Sequence, residues 1–294
     1  MEVAKTVAEV RRFVVLARKQ AKRIGLVPTM GALHIGHISL IKAAKEDCDV
    51  VVVSIFVNPT QFGPNEDFEK YPRPIENDLE ICEQHDVDVV FAPTVEQMYP
   101  MQNLTWITVD KLTEPLCGRS RPGHFRGVTT VCAKLFNIIQ PSVAFFGQKD
   151  AQQAIVIKRM VADLNMPLEI VVCPTVREDE GLAISSRNKY LSEQQLQDAT
   201  NIYKSLCKAR EMIESGTRDA GGIIAEMRGV MGQAPSLEIE YANILDSESL
   251  EDVAEVTGGV LIAVAVRVGS TRLIDNIVVD ASEQGSTMVD ENNV

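Results

Sequence analysis

Five short apolar runs alternate with helical patterns along the first 175 residues, and this alternation limits the folds open to the chain. The runs are GLVPT (25–29), DVVVVSIFV (49–57), DVDVVFAP (86–93), SVAFFG (142–147) and LEIVVCPT (168–175). Each is apolar nearly throughout, which is typical of strands that are buried on both faces of a parallel sheet. The helical spacing between them predicts β-α-β units and hence an α/β fold with a doubly wound parallel sheet.

A change of pattern near residue 175 predicts a second, smaller domain. Two helical patterns are followed by three strand candidates, at 193–214, 218–232, 237–245, 258–269 and 271–279. Helices followed by strands are typical of an α+β arrangement. We therefore expect a Rossmann-like domain over 1–175, a smaller C-terminal α+β lid domain over 176–282 and a frayed polar tail over 283–294.

The charge balance and the hydropathy exclude several classes of function. The 294 residues carry a net charge of −12, which argues against a general nucleic-acid binder because such proteins bind phosphates with Lys and Arg. No apolar run approaches the roughly 20 residues that span a bilayer. The first 23 residues predict an amphipathic helix rather than a secretory signal. We expect a protein of the cytoplasm.

The six cysteines are expected to be reduced core residues. They are scattered without a C-x-x-C pair and have mostly apolar neighbours, at Cys48, Cys82, Cys117, Cys132, Cys173 and Cys207. Zinc sites and disulfide frameworks show tighter spacing.

Two histidines three residues apart follow the first predicted strand, in VPTMGALHIGHISL. Open α/β sheets bind ligands beyond the carboxyl ends of their strands, and a helix N-terminus favours anions. His34 and His37 therefore suit a phosphate, to which imidazole offers hydrogen bonds or a proton, and Gly36 would allow close approach. The alternative is a capping and surface pair. A metal site is less favoured because no third His or Cys is nearby.

Four further polar segments follow predicted strands or precede predicted helices. They are FFGQKDAQQ with Gly147, Lys149 and Asp150; GLAISSRNKYL with Ser185, Ser186 and Arg187; SIFVNPTQF with Asn58 and Gln61; and GRSRPGHFRGV with Arg119, Arg121, His124 and Arg126. Lysine, arginine and hydroxyl groups suit phosphates, and neutral amides suit a small polar substrate. Each segment alone is also explained by a turn, a cap or a solvated loop. Their shared position at one sheet favours a single site.

Five of the quoted segments follow one another in the order VPTMGALHIGH, VSIFVNPTQF, RPGHFRGV, FGQKDAQQ and LAISSRN…YLS. In this combination and order they resemble the pantothenate synthetase family. This family belongs to the nucleotidyltransferases with a HIGH motif and is related to class I aminoacyl-tRNA synthetases. The resemblance covers about residues 24–279. It implies an enzyme that condenses pantoate with β-alanine, using ATP and Mg²⁺, through a pantoyl adenylate, with release of AMP and pyrophosphate. It also implies a homodimer.

The resemblance implies roles for individual residues. The implied ATP contacts are Met30, His34, Gly36, His37, Gly147, Gln148, Lys149, Asp150, Val176, Ile184, Ser185, Ser186 and Arg187. His37 is the implied proton donor, with His34, Lys149 and Arg187 as further catalytic residues. The implied substrate contacts are Asn58, Gln61 and Gln153, of which Gln61 also lies near the β-alanine site. Asp78 in IENDLE is a candidate Mg²⁺ ligand, and ISSRN stands where related enzymes carry KMSKS.

Two other functions are less favoured. The nearest alternative is a class I tRNA ligase or a cytidylyltransferase. A tRNA ligase needs an anticodon-reading region and a basic face, for which an acidic chain of this length has little room. A catalytically silent nucleotide-binding regulator would not need His34, His37, Lys149, Ser186 and Arg187 together. We expect small-molecule substrates, without nucleic acid or membrane as partners.

Overall fold

A computed structural model describes residues 1–64, 66 and 68–282. The chain divides into two compact units, and the first comprises Met1–Val176 together with Ile184–Ser186. The second comprises Arg177–Ala183 and the chain from Arg187 onward. The chain therefore passes from one unit to the other three times within about ten residues, which the sequence pattern does not predict. The predicted tail over 283–294 lies outside the described residues.

The first unit is built on a sheet of six parallel strands in the order β1-β4-β3-β2-β5-β6. The strands are β1 (Glu2–Ala4), β2 (Ile24–Thr29), β3 (Val50–Ile55), β4 (Val89–Phe91), β5 (Val143–Gly147) and β6 (Glu169–Cys173). Strands β2 to β5 are almost wholly buried, as their unbroken apolar runs predict. The five predicted strands are confirmed, whereas β1 is too short to show a pattern.

Helices cover both faces of this sheet and confirm the doubly wound α/β class. They are α1 (Val7–Lys19), α2 (Ile35–Asp47), α3 (Ile75–Gln84), α4 (Val95–Met98), α5 (Cys117–Ser120), α6 (His124–Ile139) and α7 (Ala151–Asp163). Side chains of α2 and α3 form one core cluster with β2 to β6. Helix α6 packs against both α1 and α7 on the other face. Helix α1 begins with a capping box between Thr6 and Glu9 and is amphipathic, as predicted.

The strand order reverses between β2 and β5. The chain runs from β2 to β3 in one direction along the sheet, and from β5 to β6 in the other. Such a reversal opens a crevice beyond the carboxyl ends of the two strands, where doubly wound folds bind their ligands. Since Leu26 pairs with Ala144, Thr29 and Gly147 end their strands at about the same level. The segments that follow them, with His34 and Lys149, begin at this crevice.

The second unit confirms the predicted smaller α+β part. Helices α8 (Glu193–Glu214) and α9 (Ala220–Met231) precede an antiparallel sheet of β7 (Leu237–Asp246), β8 (Gly259–Val268) and β9 (Thr271–Asp280). These elements share a separate apolar core. The Arg177 guanidinium donates to both oxygens of the buried Asp275 carboxylate, at 2.6 and 3.0 Å, and stacks 3.9 Å from the centre of the Tyr203 ring. This contact attaches the segment 177–183 to the second unit.

All six cysteines lie in the described part of the chain, and none of them forms a disulfide. Cys82, Cys132 and Cys173 are buried, as predicted, whereas the other three are partly exposed. Burial raises the pKa of the Cys82 and Cys132 thiols to about 12, which leaves them unreactive. In the described part of the chain, no helix is long and apolar enough to cross a bilayer.

Candidate active site

Both histidines of the HIGH segment close the N-terminus of α2. His34 is the N-cap residue, and its Nδ1 accepts a hydrogen bond from the backbone N–H of Gly36 at 3.1 Å. The Nδ1 of His37 accepts in turn from the backbone N–H of His34 at 3.2 Å. A Cβ on Gly36 would lie 2.9 Å from the His34 ring, so glycine here makes room for the cap. The capping interpretation is therefore correct for the helix, and it leaves the other ring nitrogens available to a ligand.

The capping bonds decide where each imidazole carries its hydrogen. Because Nδ1 of both rings accepts a backbone N–H, each neutral ring must carry its hydrogen on Nε2. Burial, and after it the charge of Lys149, lowers the pKa of His34 to about 4. Burial, with smaller effects of His34 and Lys149, lowers the pKa of His37 to about 3. Near pH 7 both rings are neutral, and each offers one Nε2–H as a donor.

The carboxyl end of β5 brings a second polar segment to the histidines. Gly147 ends the strand, and a single 3₁₀ turn over Gln148–Asp150 leads into α7. Lys149 lies near enough to both imidazoles to lower their pKa values, and Asp150 lies near enough to His34 to oppose that shift. The structure therefore brings the two predicted ATP-binding segments together at the reversal of strand order.

Asp78 holds the loop that leads to the histidines. Its carboxylate accepts the backbone N–H groups of Ala32 and Leu33, at 2.9 and 2.7 Å, and it is 1% exposed. Burial raises the pKa of Asp78, and the two N–H groups partly oppose this. Ala32 has a positive φ of 51°, so the loop needs such an anchor. These contacts give Asp78 a structural role as an anchor of the loop, and its role as a Mg²⁺ ligand stays a prediction.

A buried amide network follows β3. The Asn58 amide donates to Oε1 of Gln61 at 3.1 Å and to the carbonyl of Gly127 at 3.2 Å. Its oxygen accepts the Tyr99 hydroxyl at 2.8 Å. Asn58 is 1% exposed and its polar atoms all have partners, so the geometry does not support direct contact with a substrate. Asn58 instead orients Gln61, whose Nε2 points to the sulfur of Met30 at 3.1 Å.

The remaining predicted residues lie on two elements. Gln153 is half-buried in the first turn of α7, next to the buried Gln152. The backbone N–H of Ile184 donates to the carbonyl of Val176 at 3.0 Å. Ile184–Ser186 belong to the first unit, together with the histidines, whereas Arg187 belongs to the second. The contact of Arg187 with ATP stays a prediction.

Some residues of this site carry no signal in the sequence. Tyr99 follows a short helix and reaches Asn58 across 41 residues, a contact that no local pattern predicts. Gly127 is different, because an isolated glycine within the helical pattern of α6 indicates close backbone packing. Its added Cβ would lie 2.7 Å from the Cα of Gln61.

Known proteins are similar to this chain over almost its whole length. The family described as Pantoate-beta-alanine ligase matches residues 2–278. The chain belongs to this family. A pantothenate synthetase of Moorella thermoacetica is 54% identical over 283 residues, which cover 96% of this chain and 100% of the relative. A pantothenate synthetase of Acetivibrio thermocellus is 51% identical and covers 95% of this chain and 100% of its own length.

Solved structures of the family share the fold. A crystal structure of pantothenate synthetase from Thermus thermophilus superposes with a TM-score of 0.89 at 42% identity, covering 94% of this chain and 99% of the other. The pantoate-beta-alanine ligase of Francisella tularensis, crystallised with beta-gamma ATP and beta-alanine, has a TM-score of 0.77 at 38% identity. That match covers 95% of this chain and 97% of the other.

Proposed function

We propose that this protein joins pantoate to β-alanine at the expense of ATP, forming pantothenate, AMP and pyrophosphate. The observation that supports it best is the pair of neutral imidazoles at the N-terminus of α2, with Lys149 beside them. Two Nε2–H donors, a helix N-terminus and an ammonium group together form a site for a polyphosphate. Membership of the pantoate-beta-alanine ligase family indicates pantoate and β-alanine as the substrates. The Francisella tularensis ligase was crystallised with beta-gamma ATP and beta-alanine.

The first step is transfer of the adenylyl group to pantoate. A carboxylate oxygen of pantoate attacks the α-phosphorus of ATP, an O–P bond forms, and the bond to pyrophosphate breaks. Negative charge grows on the phosphate oxygens and on the leaving pyrophosphate, where His34, His37 and Lys149 stabilise it. Because the pKa of His37 is low, its ring is neutral in the free enzyme. We therefore propose that His37 donates a hydrogen bond to the phosphate and does not transfer a proton to it. Arg187 is the proposed fourth donor.

The second step is attack by the amine of β-alanine on the acyl carbonyl. A C–N bond forms, the bond between the carbonyl carbon and the AMP oxygen breaks, and the amine releases its proton to solvent. In our proposal Gln61 and Gln153 hold pantoate in both steps, because neutral amides bind a hydroxy acid without adding charge. Asn58 contributes by keeping the Gln61 amide in one orientation.

We propose that Mg²⁺ binds together with ATP and does not occupy a permanent metal site of the protein. Among residues 1–64, 66 and 68–282, no group of three or more His, Cys, Asp or Glu side chains is placed to hold a metal ion. Mg²⁺ in nucleotide enzymes needs only one or two carboxylates in addition to phosphate oxygens. We propose Asp150, which is exposed next to Lys149 in sequence, as such a carboxylate. Bound Mg²⁺ would neutralise phosphate charge.

We propose three further properties, of which the homodimer rests on the resemblance. The second unit would act as a lid that excludes water from the acyl adenylate, because Ser186 and Arg187 lie on either side of the boundary between the units. The enzyme would be a homodimer and would work in the cytoplasm.

Exchange of labelled pyrophosphate into ATP tests the proposal. We expect exchange that depends on pantoate and proceeds without β-alanine, because the adenylate forms first. A tRNA ligase would require an amino acid instead, and a regulator would show no exchange. Absence of pantoate-dependent exchange would contradict the proposed function.

Two replacements of His37 separate its role in capping the helix from its role as a hydrogen-bond donor to the phosphate. In His37→Asn the side-chain oxygen can take the place of Nδ1 and keep the bond from the His34 N–H, but the Nε2–H is lost. We expect the exchange rate to fall by about 10²–10³-fold, as for other lost donors to a developing charge. His37→Gln keeps an N–H near the position of Nε2 and should lose less. Normal exchange in His37→Asn would show that His37 does not stabilise the phosphate.

A further inference from the structure

Arg121 and His124 belong to a partly buried hydrogen-bonded chain that has no role in the two proposed reaction steps. Glu66 accepts two bonds from the Arg121 guanidinium, at 2.7 and 2.6 Å. A third nitrogen of this guanidinium lies 3.1 Å from Nε2 of His124. Nδ1 of His124 in turn lies 2.8 Å from the main-chain carbonyl of Gln61. The chain therefore runs from a carboxylate to the backbone of a proposed pantoate ligand.

The donors in this chain have only one consistent assignment. A guanidinium can only donate, so Nε2 of His124 must accept, and its hydrogen must lie on Nδ1. Nδ1–H then donates to the carbonyl oxygen of Gln61, which also receives a longer bond of 3.4 Å from Arg121. Burial and the adjacent guanidinium lower the pKa of His124 to about 4, so the neutral ring is maintained at pH 7.

This network is poorly suited to bind an anion from solution. The guanidinium of Arg121 is 22% exposed, and three of its nitrogens are bonded to Glu66, His124 and Gln61. The same pairing with Arg121 lowers the pKa of Glu66, which keeps the carboxylate ionised. Arg126, the neighbouring cation, lies over the Trp106 ring at 4.8 Å. Arg121 and His124 are therefore structural members of the basic segment GRSRPGHFRGV, whereas Arg119 and Arg126 are exposed.

The place where the network acts is the single 3₁₀ turn over Pro59–Gln61, which leads the chain away from β3. A turn this short has little stability of its own. The side chain of Gln61 is held from one side by Asn58 and Met30. Its carbonyl is held from the other side by His124. The amide of Gln61 is thus fixed at both its side chain and its backbone.

We propose that His124, supported by Arg121 and Glu66, is a positioning residue that fixes Gln61 for the binding of pantoate. This inference rests on the proposed function, since it assumes that Gln61 contacts pantoate. His124 does not itself contact the substrate. Its loss should weaken pantoate binding and leave ATP binding unchanged, because the ATP-binding segments have separate anchors such as Asp78.

Two variants of His124 and one control test the proposal. His124→Leu removes both ring nitrogens, whereas the side-chain nitrogen of His124→Asn can occupy the place of Nδ1 and donate to Gln61. His85→Leu is the matched control, because His85 lies at the end of α3 and has no part in the network. KM for pantoate and for ATP would be measured in the pyrophosphate exchange assay, and unfolding in urea would be followed for every variant.

We expect His124→Leu to raise KM for pantoate about tenfold, with KM for ATP changed less than about twofold. His124→Asn should bring KM for pantoate back to within about threefold of the wild type. Should His124→Leu fail to fold, Arg121→Gln should raise KM for pantoate about fivefold by the same route. An unchanged KM for pantoate, or equal effects of Asn and Leu, would overturn the proposal. Absence of exchange in the wild type would instead refute the proposed function itself.

Discussion

A single methyl group added at Gly127 should impair the proposed pantoate site through backbone packing alone. Gly127 lies in the buried first turns of α6, where this helix contacts the turn over Pro59–Gln61. The added Cβ of Gly127→Ala would lie 2.6 Å from the carbonyl carbon of Thr60 and 2.7 Å from Cα of Gln61, and it would overlap the Thr60 carbonyl oxygen. Ordinary contact between carbons begins near 3.5 Å, so the two backbones must separate by roughly 1 Å.

The size of the effect follows from this separation. Overpacking of a buried site costs about 1–3 kcal/mol, and the better helix propensity of alanine returns up to about 1 kcal/mol. The free energy of unfolding should therefore fall by about 1–2 kcal/mol. A displacement of about 1 Å at a substrate-holding group can lower catalysis by about 10²-fold. We expect kcat/KM for pantoate to fall by about 10- to 100-fold, since Asn58 also bonds to the Gly127 carbonyl.

Gly229→Ala is the matched control in the second unit. Gly229 is exposed within α9, and nothing lies within 4 Å of an added Cβ there. The same substitution should stabilise the protein by about 0.5–1 kcal/mol and leave pantoate kinetics unchanged. Urea unfolding and steady-state kinetics measure both variants. Wild-type stability and kinetics in Gly127→Ala would refute the argument that backbone contact at this glycine sets the position of Gln61.

Three further results are expected. Asp78→Asn should raise KM for ATP and lower the free energy of unfolding by about 1–3 kcal/mol, because an amide cannot accept both loop N–H groups. If the variant only needs more Mg²⁺, Asp78 is a metal ligand instead. Since the folded pKa values of His34 and His37 are about 4 and 3, the unfolded state binds protons first as the pH falls below 6.5. Urea unfolding at pH 7 and 5 should show a loss of about 1–2 kcal/mol per histidine, and an equal loss in a variant with glutamine at both positions would contradict this origin. Amide hydrogen exchange over residues 180–190 should slow when ATP and pantoate are both bound, and unchanged exchange would count against the lid.

The regular elements could be predicted because their causes are local. Runs that are apolar nearly throughout predicted the strands β2 to β6, and helical spacing predicted α2, α3, α6 and α7. The spacing of His34 and His37 was also informative, although it suggested a cap and a phosphate site as alternatives. The structure shows the cap, and the cap leaves Nε2–H available to a phosphate.

The hydrogen-bond networks could not be predicted because their partners are distant in sequence. Asn58 is oriented by Tyr99 and Gly127, which are 41 and 69 residues away. The segment 177–183 is held by a bond between Arg177 and Asp275 across 98 residues. Nothing near Asn58 in the sequence reveals these partners, so a polar residue after a strand fits a substrate contact equally well.

The interleaving of the two units has a consequence for how the enzyme is made on the ribosome. The first unit lacks Ile184–Ser186 until the seven residues Arg177–Ala183 of the second unit have also been synthesised. At about 5–20 residues per second, this interval lasts roughly 0.5–2 s. During this interval the sheet and the histidine cap of the first unit have been translated, but the two serines of its proposed nucleotide site have not. A chain that stops at Val176 would never receive them, however well its sheet folds.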